Sequence, residues 1–238
     1  DWQGWIPKEQ NPHVKNPPRG FVSSANQFSA DPTYPYYLGW KFAPAYRGLR
    51  INERLEAMKN ATADSLRMLQ NDNYNVAARM FLPKFIEVLS SDKTISASPA
   101  YQALAKWNLQ NEANSVGATI FERMMKNLRR FVWEDEFSLE ANMMYPTEDR
   151  TLQLIRTDAA SKWFDNISTK DKVETLSDVI KTTFTATVDT LTVHQGPFNP
   201  ETWAWKNVKS TDIRHLVPAF ASFSRNDIPN GGGGGIVN

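Results

Sequence analysis

"VGATIFERMMKNLRRF", residues 116–131, decides the class of the fold. Its apolar side chains recur every three or four positions, which places them on one face of a helix. They are Val116, Ile120, Met124, Leu128 and Phe131. The same spacing returns further along, after a start signal at Ser168 and Thr169. That second stripe consists of Val173, Leu176, Ile180, Phe184, Val188 and Leu191.

Shorter helices are predicted on either side of these two. Thr62 is typical of an N-cap, with Asp64 in the first turn after it. Ser98 and Pro99 form an N-cap and N1 pair. Pro83 is expected to kink or divide the helix in which it lies. The predicted ranges are 49–59, 62–72, 75–91, 98–107 and 151–165.

The two ends lack this periodicity. Residues 1–48 hold seven of the fourteen prolines and read as extended or looped. "GPFNPETW" at 196–203 breaks the helical pattern, and "GGGGG" at 231–235 interrupts the chain again. We therefore expect a mainly α chain with three parts: 1–48 extended, 49–200 helical, and 201–238 a final non-helical segment.

Composition excludes several classes of function. The 27 Lys and Arg residues are interleaved with 26 Asp and Glu residues, for a net charge of +1. This balance gives no reason to expect nucleic acid as a partner. Cysteine is absent, which excludes disulfides, thiolate nucleophiles and Cys-ligated metals from this chain. No run of 18 apolar residues is present, so we expect no membrane span.

Familiar catalytic spacings are missing as well. The sequence contains no HExxH, GxSxG, Walker or GxGxxG pattern. His13, His194 and His215 are too scattered to predict a metal site. "WEDEF" at 133–137 reads as a solvated helix end, because its carboxylates lack the spacing of a calcium loop.

Six segments, in order, resemble the penicillin amidase family of N-terminal nucleophile hydrolases. In the first segment the resemblance rests on W-x-G-x-(I/L)-P, N-P-x-x-G-(F/Y)-(I/V), A-N-(N/Q) and Y-P. The second resembles Y-R-x-x-R-I, and the third resembles a helix with Q-x-D followed by A and P. The segments are "WQGWIPKEQNPHVKNPPRGFVSSANQFSADPTYPY" (2–36), "YRGLRINERL" (46–55), "LRMLQNDNYNVAARMFLPKF" (66–85), "LAKWN" (104–108), "ETWAWKNVKSTDIRHL" (201–216) and "SRNDIPNGGGGGIVN" (224–238).

The resemblance implies an amide hydrolase that cuts itself into two chains and attacks with the new N-terminal residue. Because this chain starts with Asp1, the nucleophile is expected upstream of it. The family's oxyanion-hole Asn falls on Asn26, and the family's active-site positioning Arg falls on Arg47. From the residues alone, Asn26 reads as a turn cap rather than a catalytic group, and Arg47 reads as an ordinary ion-pairing or surface-packing side chain.

Neighbouring residues receive other roles. Arg50 is expected to be structural, and neither Ser23 nor Ser24 has the context of a nucleophile. Lys206 and Lys209 stand where the family often has Gly and His, which affects subfamily placement only.

The implied fold is a four-layer αββα core with an inserted helical subdomain. Residues 1–48 would supply an edge of that core, 49–200 the helical subdomain, and 201–238 a segment with a glycine-rich end that returns towards the core. As a fragment, the chain is expected to be mainly α and inactive alone. Its partners would be the rest of the β-chain, the α-chain and a small amide substrate such as a penicillin or an acyl-homoserine lactone. The resemblance implies a periplasmic or secreted enzyme, no cofactor in this chain, and a structural calcium elsewhere. The alternative is a helical binding or interaction module without chemistry.

Overall fold

The computed structural model describes residues 4–31, 33–39, 41–137 and 145–237. Trp2, where the resemblance begins, and Trp40 of the aromatic loop lie outside the described residues. So does the segment 138–144 of the predicted helical part.

Helices dominate the described residues, which confirms the mainly α prediction. Before the first α-helix, the described residues make one 3₁₀ turn, Lys8–Gln10, and are otherwise irregular. The α-helices are α1 Tyr46–Ala57, α2 Ala63–Gln70, α3 Val76–Ser90, α4 Lys93–Ala97, α5 Pro99–Ala105, α6 Val116–Phe137, α7 Glu148–Thr157, α8 Leu176–Gln195 and α9 Trp205–Lys209. Two further 3₁₀ turns follow α7 and α9, at Lys162–Phe164 and Pro218–Phe223.

The core forms around α6 and α8, the two long helices that the apolar stripes predicted. On α6 the side chains of Ile120, Met124 and Leu128 are buried, as the spacing requires. On α8 Ile180 and Phe184 are buried in the same cluster, together with residues of α3 and α5. Burial of these stripes is the main stabilising term for a helical fold of this kind.

One close contact joins α6 to the end of the α5 region. Gly117, in the first turn of α6, is buried against Trp107. A Cβ on Gly117 would lie 2.3 Å from Cβ of Trp107, well inside the distance that two carbon atoms tolerate. Glycine fits here because the side chain of Trp107 occupies the space that a Cβ would need.

Several predicted helix starts are confirmed by their caps. Thr62 accepts a hydrogen bond from the backbone N–H of Ser65 at 3.1 Å and completes a capping box. Ser98 caps α5 by accepting from the N–H of Tyr101 at 3.2 Å. Pro83, however, does not divide α3, which runs through it with the proline ring on the exposed side.

Other predicted boundaries are wrong. Helix α1 begins at Tyr46 rather than residue 49. Ala45, which precedes it, has no capping side chain, so the sequence carried no start signal at this point. Helix α7 occupies Glu148–Thr157 rather than 151–165, because Thr147 is its N-cap. The N-cap of α8 is Thr175, which forms a capping box with Asp178. The predicted start signals at Ser168 and Thr169 lie before the helix. Val173, assigned to the stripe, therefore precedes the helix and is 75% exposed.

Regular β structure is not seen in the described ranges. Two isolated antiparallel bridges occur, Tyr74 with Gln110 and Ile213 with Arg225. None of the helices in those ranges has the length and apolar character needed to cross a bilayer.

The glycine-rich segment packs against the helical part rather than extending away from it. The indole N–H of Trp205 donates to the carbonyl of Gly232 at 2.7 Å in a buried position. The N–H of Gly232 donates to the carbonyl of Asn111 at 2.8 Å, and Ile236 is 2% exposed. Lys209 donates to the carbonyl of Gly231, so this lysine anchors the same segment.

Candidate functional site

The turn at Ser23–Gln27 gives Asn26 an unusual backbone. Asn26 has a φ of 63°, in the left-handed region that Asn and Gly tolerate better than other residues. The side-chain oxygen of Gln27 accepts from the N–H of Ala25 at 2.7 Å. The carbonyl of Asn26 accepts from the N–H of Ala43 at 2.8 Å. The turn is therefore closed by hydrogen bonds on both sides of Asn26.

Arg47 fixes the orientation of the Asn26 side chain. Its Nη2 donates to Oδ1 of Asn26 at 2.9 Å and to the carbonyl of Ala25 at 3.0 Å. A guanidinium has only donors, so the atom facing it must be the amide oxygen and not the nitrogen. The amide nitrogen of Asn26 consequently points away from Arg47.

The Nδ2 of Asn26 is available for a ligand. Asn26 is exposed, and Nδ2 donates to no protein atom in the part of the chain that the structure describes. An amide N–H is a neutral donor at every working pH. The arrangement can therefore offer a neutral hydrogen bond to a developing negative charge, with the guanidinium of Arg47 on the oxygen side of the amide.

Helix α1 holds this turn through more than Arg47. Gly48 is buried, and a Cβ there would lie 3.3 Å from the side-chain amide of Gln27. One helical turn on, Oδ1 of Asn52 accepts from the hydroxyl of Ser23 at 2.6 Å. The first two turns of α1 thus contact the Ser23–Gln27 turn at three places.

A second group of contacts attaches α1 to the loop between α2 and α3. Arg50 Nη2 lies 2.8 Å from Oδ2 of Asp72, and Arg54 Nε lies 3.3 Å from the same oxygen. The side chain of Asp72 is 8% exposed. The guanidinium of Arg50 also stacks 4.4 Å from the ring centroid of Tyr74. Arg50 is structural, and this loop is what it binds.

Acidic side chains lie beneath the start of α1. Burial, together with the carboxylates of Asp149 and Glu148, raises the pKa of Tyr46, the first residue of the helix. Burial raises the pKa of Glu148 to about 7, with the carboxylates of Glu122 and Asp149 acting in the same direction. Arg129 opposes this effect. Glu148 is therefore partly protonated near neutral pH.

An open groove borders the turn. Its volume is about 670 Å³, and residues on both sides of Asn26, Ser24 and Gln27, contribute to its wall. Arg19, Phe28 and Tyr34 also line it. The groove thus combines hydroxyl, amide, cationic and aromatic groups beside the turn, although Asn26 itself is not part of its wall.

Three of the remaining sequence candidates, His13, Ser23 and Ser24, line the groove beside the turn. Ser23 donates to Asn52, and Ser24 is exposed. His215 packs against Phe220 and Phe223, far along the chain from the turn. In the described ranges, no group of three His, Asp or Glu side chains could hold a metal ion.

Comparison with known sequences places the chain in a family. The sequence profile of the penicillin amidase family matches residues 1–238, the whole chain. The chain belongs to the penicillin amidase family. The chain is also similar to the penicillin acylase 2 proenzyme of Pseudomonas sp. (strain SE83), with 30% identity over 132 residues. This alignment covers 56% of the present chain and 17% of that relative.

Membership in the penicillin amidase family supports hydrolase character at the level of the family. The similar proenzyme is, by its name, a precursor. The present chain spans less than a fifth of that relative's length within the alignment.

Sequence reasoning brought together the pair that the structure joins, Asn26 and Arg47, but missed the residues that support it. Gln27 was part of the A-N-(N/Q) motif without an assigned role, and Asn52 carried no signal. Asp72 is the acidic residue of the Q-x-D motif in the present chain. That motif could have identified it as a partner for a cation on α1.

Proposed function

We propose that this chain supplies the oxyanion-stabilising side of an amide hydrolase active site. Asn26 is the catalytic residue of the chain: its Nδ2 donates to the oxyanion of the tetrahedral intermediate. The observation that supports this most directly is the 2.9 Å hydrogen bond from Arg47 to Oδ1 of Asn26. Because the oxygen is engaged by Arg47, the amide presents its donor to the substrate side.

The physical advantage of an amide donor is its neutrality. In the proposed enzyme the nucleophile uses its own α-amine as base, and a nearby cation would lower the pKa of that amine. Arg47 stays on the oxygen side of Asn26 and so acts as a positioning residue. One oxyanion-hole donor of this kind contributes about 10²–10³ in rate, or roughly 3–4 kcal/mol.

The rest of the active site belongs to other segments of the enzyme. The nucleophile belongs to another segment of the enzyme, and self-cleavage of a precursor exposes it. The present chain associates with the remainder of the β-chain and with the α-chain, and has no hydrolytic activity alone. The substrate is a small amide such as a penicillin or an acyl-homoserine lactone, and the mature enzyme is periplasmic or secreted.

The test is replacement of Asn26 in the complete precursor. Asn26→Ala should lower the hydrolysis rate at least a hundredfold while the precursor still folds. Because φ is 63° at this position, Asn26→Gly is the better-matched variant, since glycine keeps the backbone and removes the donor. An unchanged rate in Asn26→Gly would disprove the oxyanion assignment.

A further inference from the structure

Helix α1 contacts two separate parts of the chain. From one side, Arg47, Gly48 and Asn52 contact the Ser23–Gln27 turn. From another side, Arg50 and Arg54 bind Asp72 in the loop after α2. Residues of a helix keep fixed angles to one another, so displacement of either side displaces the other.

On that second side, α1 is held by a buried ion-pair contact with Asp72. Oδ2 of Asp72 faces two guanidinium groups at 2.8 and 3.3 Å, and the carboxylate is 8% exposed. Little water is available to replace those partners, so the ion pairs are poorly screened. The stacking of Arg50 on Tyr74, two residues after Asp72, restricts the guanidinium further.

Asp72 is itself held in place. Its other oxygen, Oδ1, accepts from the N–H of Tyr74 at 3.0 Å, which forms a turn within the loop. The two oxygens therefore have separate tasks: Oδ1 shapes the loop and Oδ2 binds α1. Asp64, on the neighbouring helix α2, pairs with Arg67 of its own helix, and its side chain is 84% exposed.

We infer that Asp72 is a positioning residue for the reaction: through Arg50 and Arg54 it fixes α1, and through Arg47 it fixes the amide of Asn26. This inference rests on the proposed function, because it assigns Asp72 an effect on the step that Asn26 assists. Loss of Asp72 should raise the free energy of the transition state and leave substrate binding unchanged. A displaced donor still permits substrate binding but misses the oxyanion, and a displacement of about 1 Å can cost up to a hundredfold in rate.

The first experiment is a double-mutant cycle in the complete precursor. Asp72→Asn keeps Oδ1 for the loop and turns the Oδ2 position into an N–H donor that faces the arginines. It should lower kcat about tenfold or more with little change in KM, while Asp64→Asn should leave both unchanged. Because both residues act through Asn26, the variant that combines Asp72→Asn with Arg47→Ala should be no slower than Arg47→Ala alone. Multiplied effects in the combined variant would overturn the inference.

The second experiment uses the 238-residue chain and needs no activity. The side-chain amide signals of Asn26 are identified in a ¹H–¹⁵N spectrum by their loss in Asn26→Gly. They should shift or broaden in Asp72→Asn and stay in place in Asp64→Asn, with the thermal midpoint recorded for each variant. Unchanged Asn26 signals in a folded Asp72→Asn chain would overturn the inference.

The two experiments separate the two claims. Full hydrolysis in Asn26→Gly would contradict the proposed function, and the spectrum would still report whether Asp72 controls the Asn26 side chain. Loss of hydrolysis in Asn26→Gly, with normal kcat and an unchanged spectrum in Asp72→Asn, would overturn the role of Asp72 alone.

Discussion

Arg47 and Asn26 are joined by a hydrogen bond that can run in one direction only, since Arg47 can only donate and Oδ1 of Asn26 can only accept. That direction decides which end of the amide faces outward. It also separates two properties of position 26 that most substitutions would change together, its donor and its contact with Arg47.

Asn26→Asp separates these properties. The carboxylate has the same shape and keeps, even strengthens, the contact with Arg47, but it has no N–H to donate. In the complete precursor we expect hydrolysis to fall at least a hundredfold, measured as initial rates. The thermal midpoint should not decrease, which is the control for folding. Substantial activity in Asn26→Asp would contradict the donor role.

Glu148 should make the stability of the chain depend on pH. Burial raises its pKa to about 7 in the folded state, above the usual 4.5, so the folded state binds more protons between these values. The free energy of unfolding therefore falls as pH rises from about 4.5 to 7 and stays low above that range.

Glu148→Gln removes this ionisation and should raise the free energy of unfolding at pH 8 by about 1–3 kcal/mol, with little effect near pH 4. Urea denaturation at several pH values measures it. The exposed Glu56→Gln is the control and should follow the parent chain throughout. A Glu148→Gln chain that is no more stable than the parent at pH 8 would refute the prediction.

Gly117→Ala should destabilise the chain although alanine normally favours a helix over glycine. The intrinsic gain is about 1 kcal/mol, but the new Cβ would lie 2.3 Å from Cβ of Trp107, which is attached directly to the backbone. We expect a net loss of about 1–3 kcal/mol in chemical denaturation. In Gly48→Ala the neighbour is the movable side chain of Gln27 at 3.3 Å, so the change in stability should be smaller. Equal effects would show that the Trp107 contact is not decisive.

Trp205→Phe should release the glycine-rich segment. Phenylalanine fills much of the same space but cannot donate to the carbonyl of Gly232, which leaves a buried acceptor unpaired. The expected cost is about 1–3 kcal/mol, concentrated in residues 231–236. Hydrogen exchange of those amides should become faster while exchange in α6 is unchanged. If the segment keeps its protection, the hydrogen bond is not what holds it.

The sequence predicted the elements that local chemistry determines. The apolar spacing identified α6 and α8, and the caps at Thr62 and Ser98 follow from their own side chains and neighbours. Ser168, Thr169 and Thr175 are all possible N-caps for α8, and the sequence alone does not show which of them caps the helix. Helix α1 has no capping side chain at Ala45, so its start at Tyr46 could not be read.

The candidate site depends on contacts between distant parts of the chain. Asn26 and Arg47 were paired by resemblance alone, because a separation of 21 positions along the chain imposes no spacing that would predict a hydrogen bond. The attachment of Arg50 to Asp72 is of the same kind. Such contacts follow from how α1 packs against the turn and the loop, and no periodicity in the sequence reports them.

The left-handed backbone of Asn26 affects how related sequences should be compared. A φ of 63° favours Asn, Asp or Gly whatever the chemistry. An Asn aligned with position 26 in a relative is therefore weak evidence of hydrolysis, because conformation alone would retain it. A glycine there is more informative: a relative with Gly at that position would keep the loop and lack the donor. Such a glycine would identify a branch of the family that has lost this hydrolysis, or one in which another residue donates to the oxyanion.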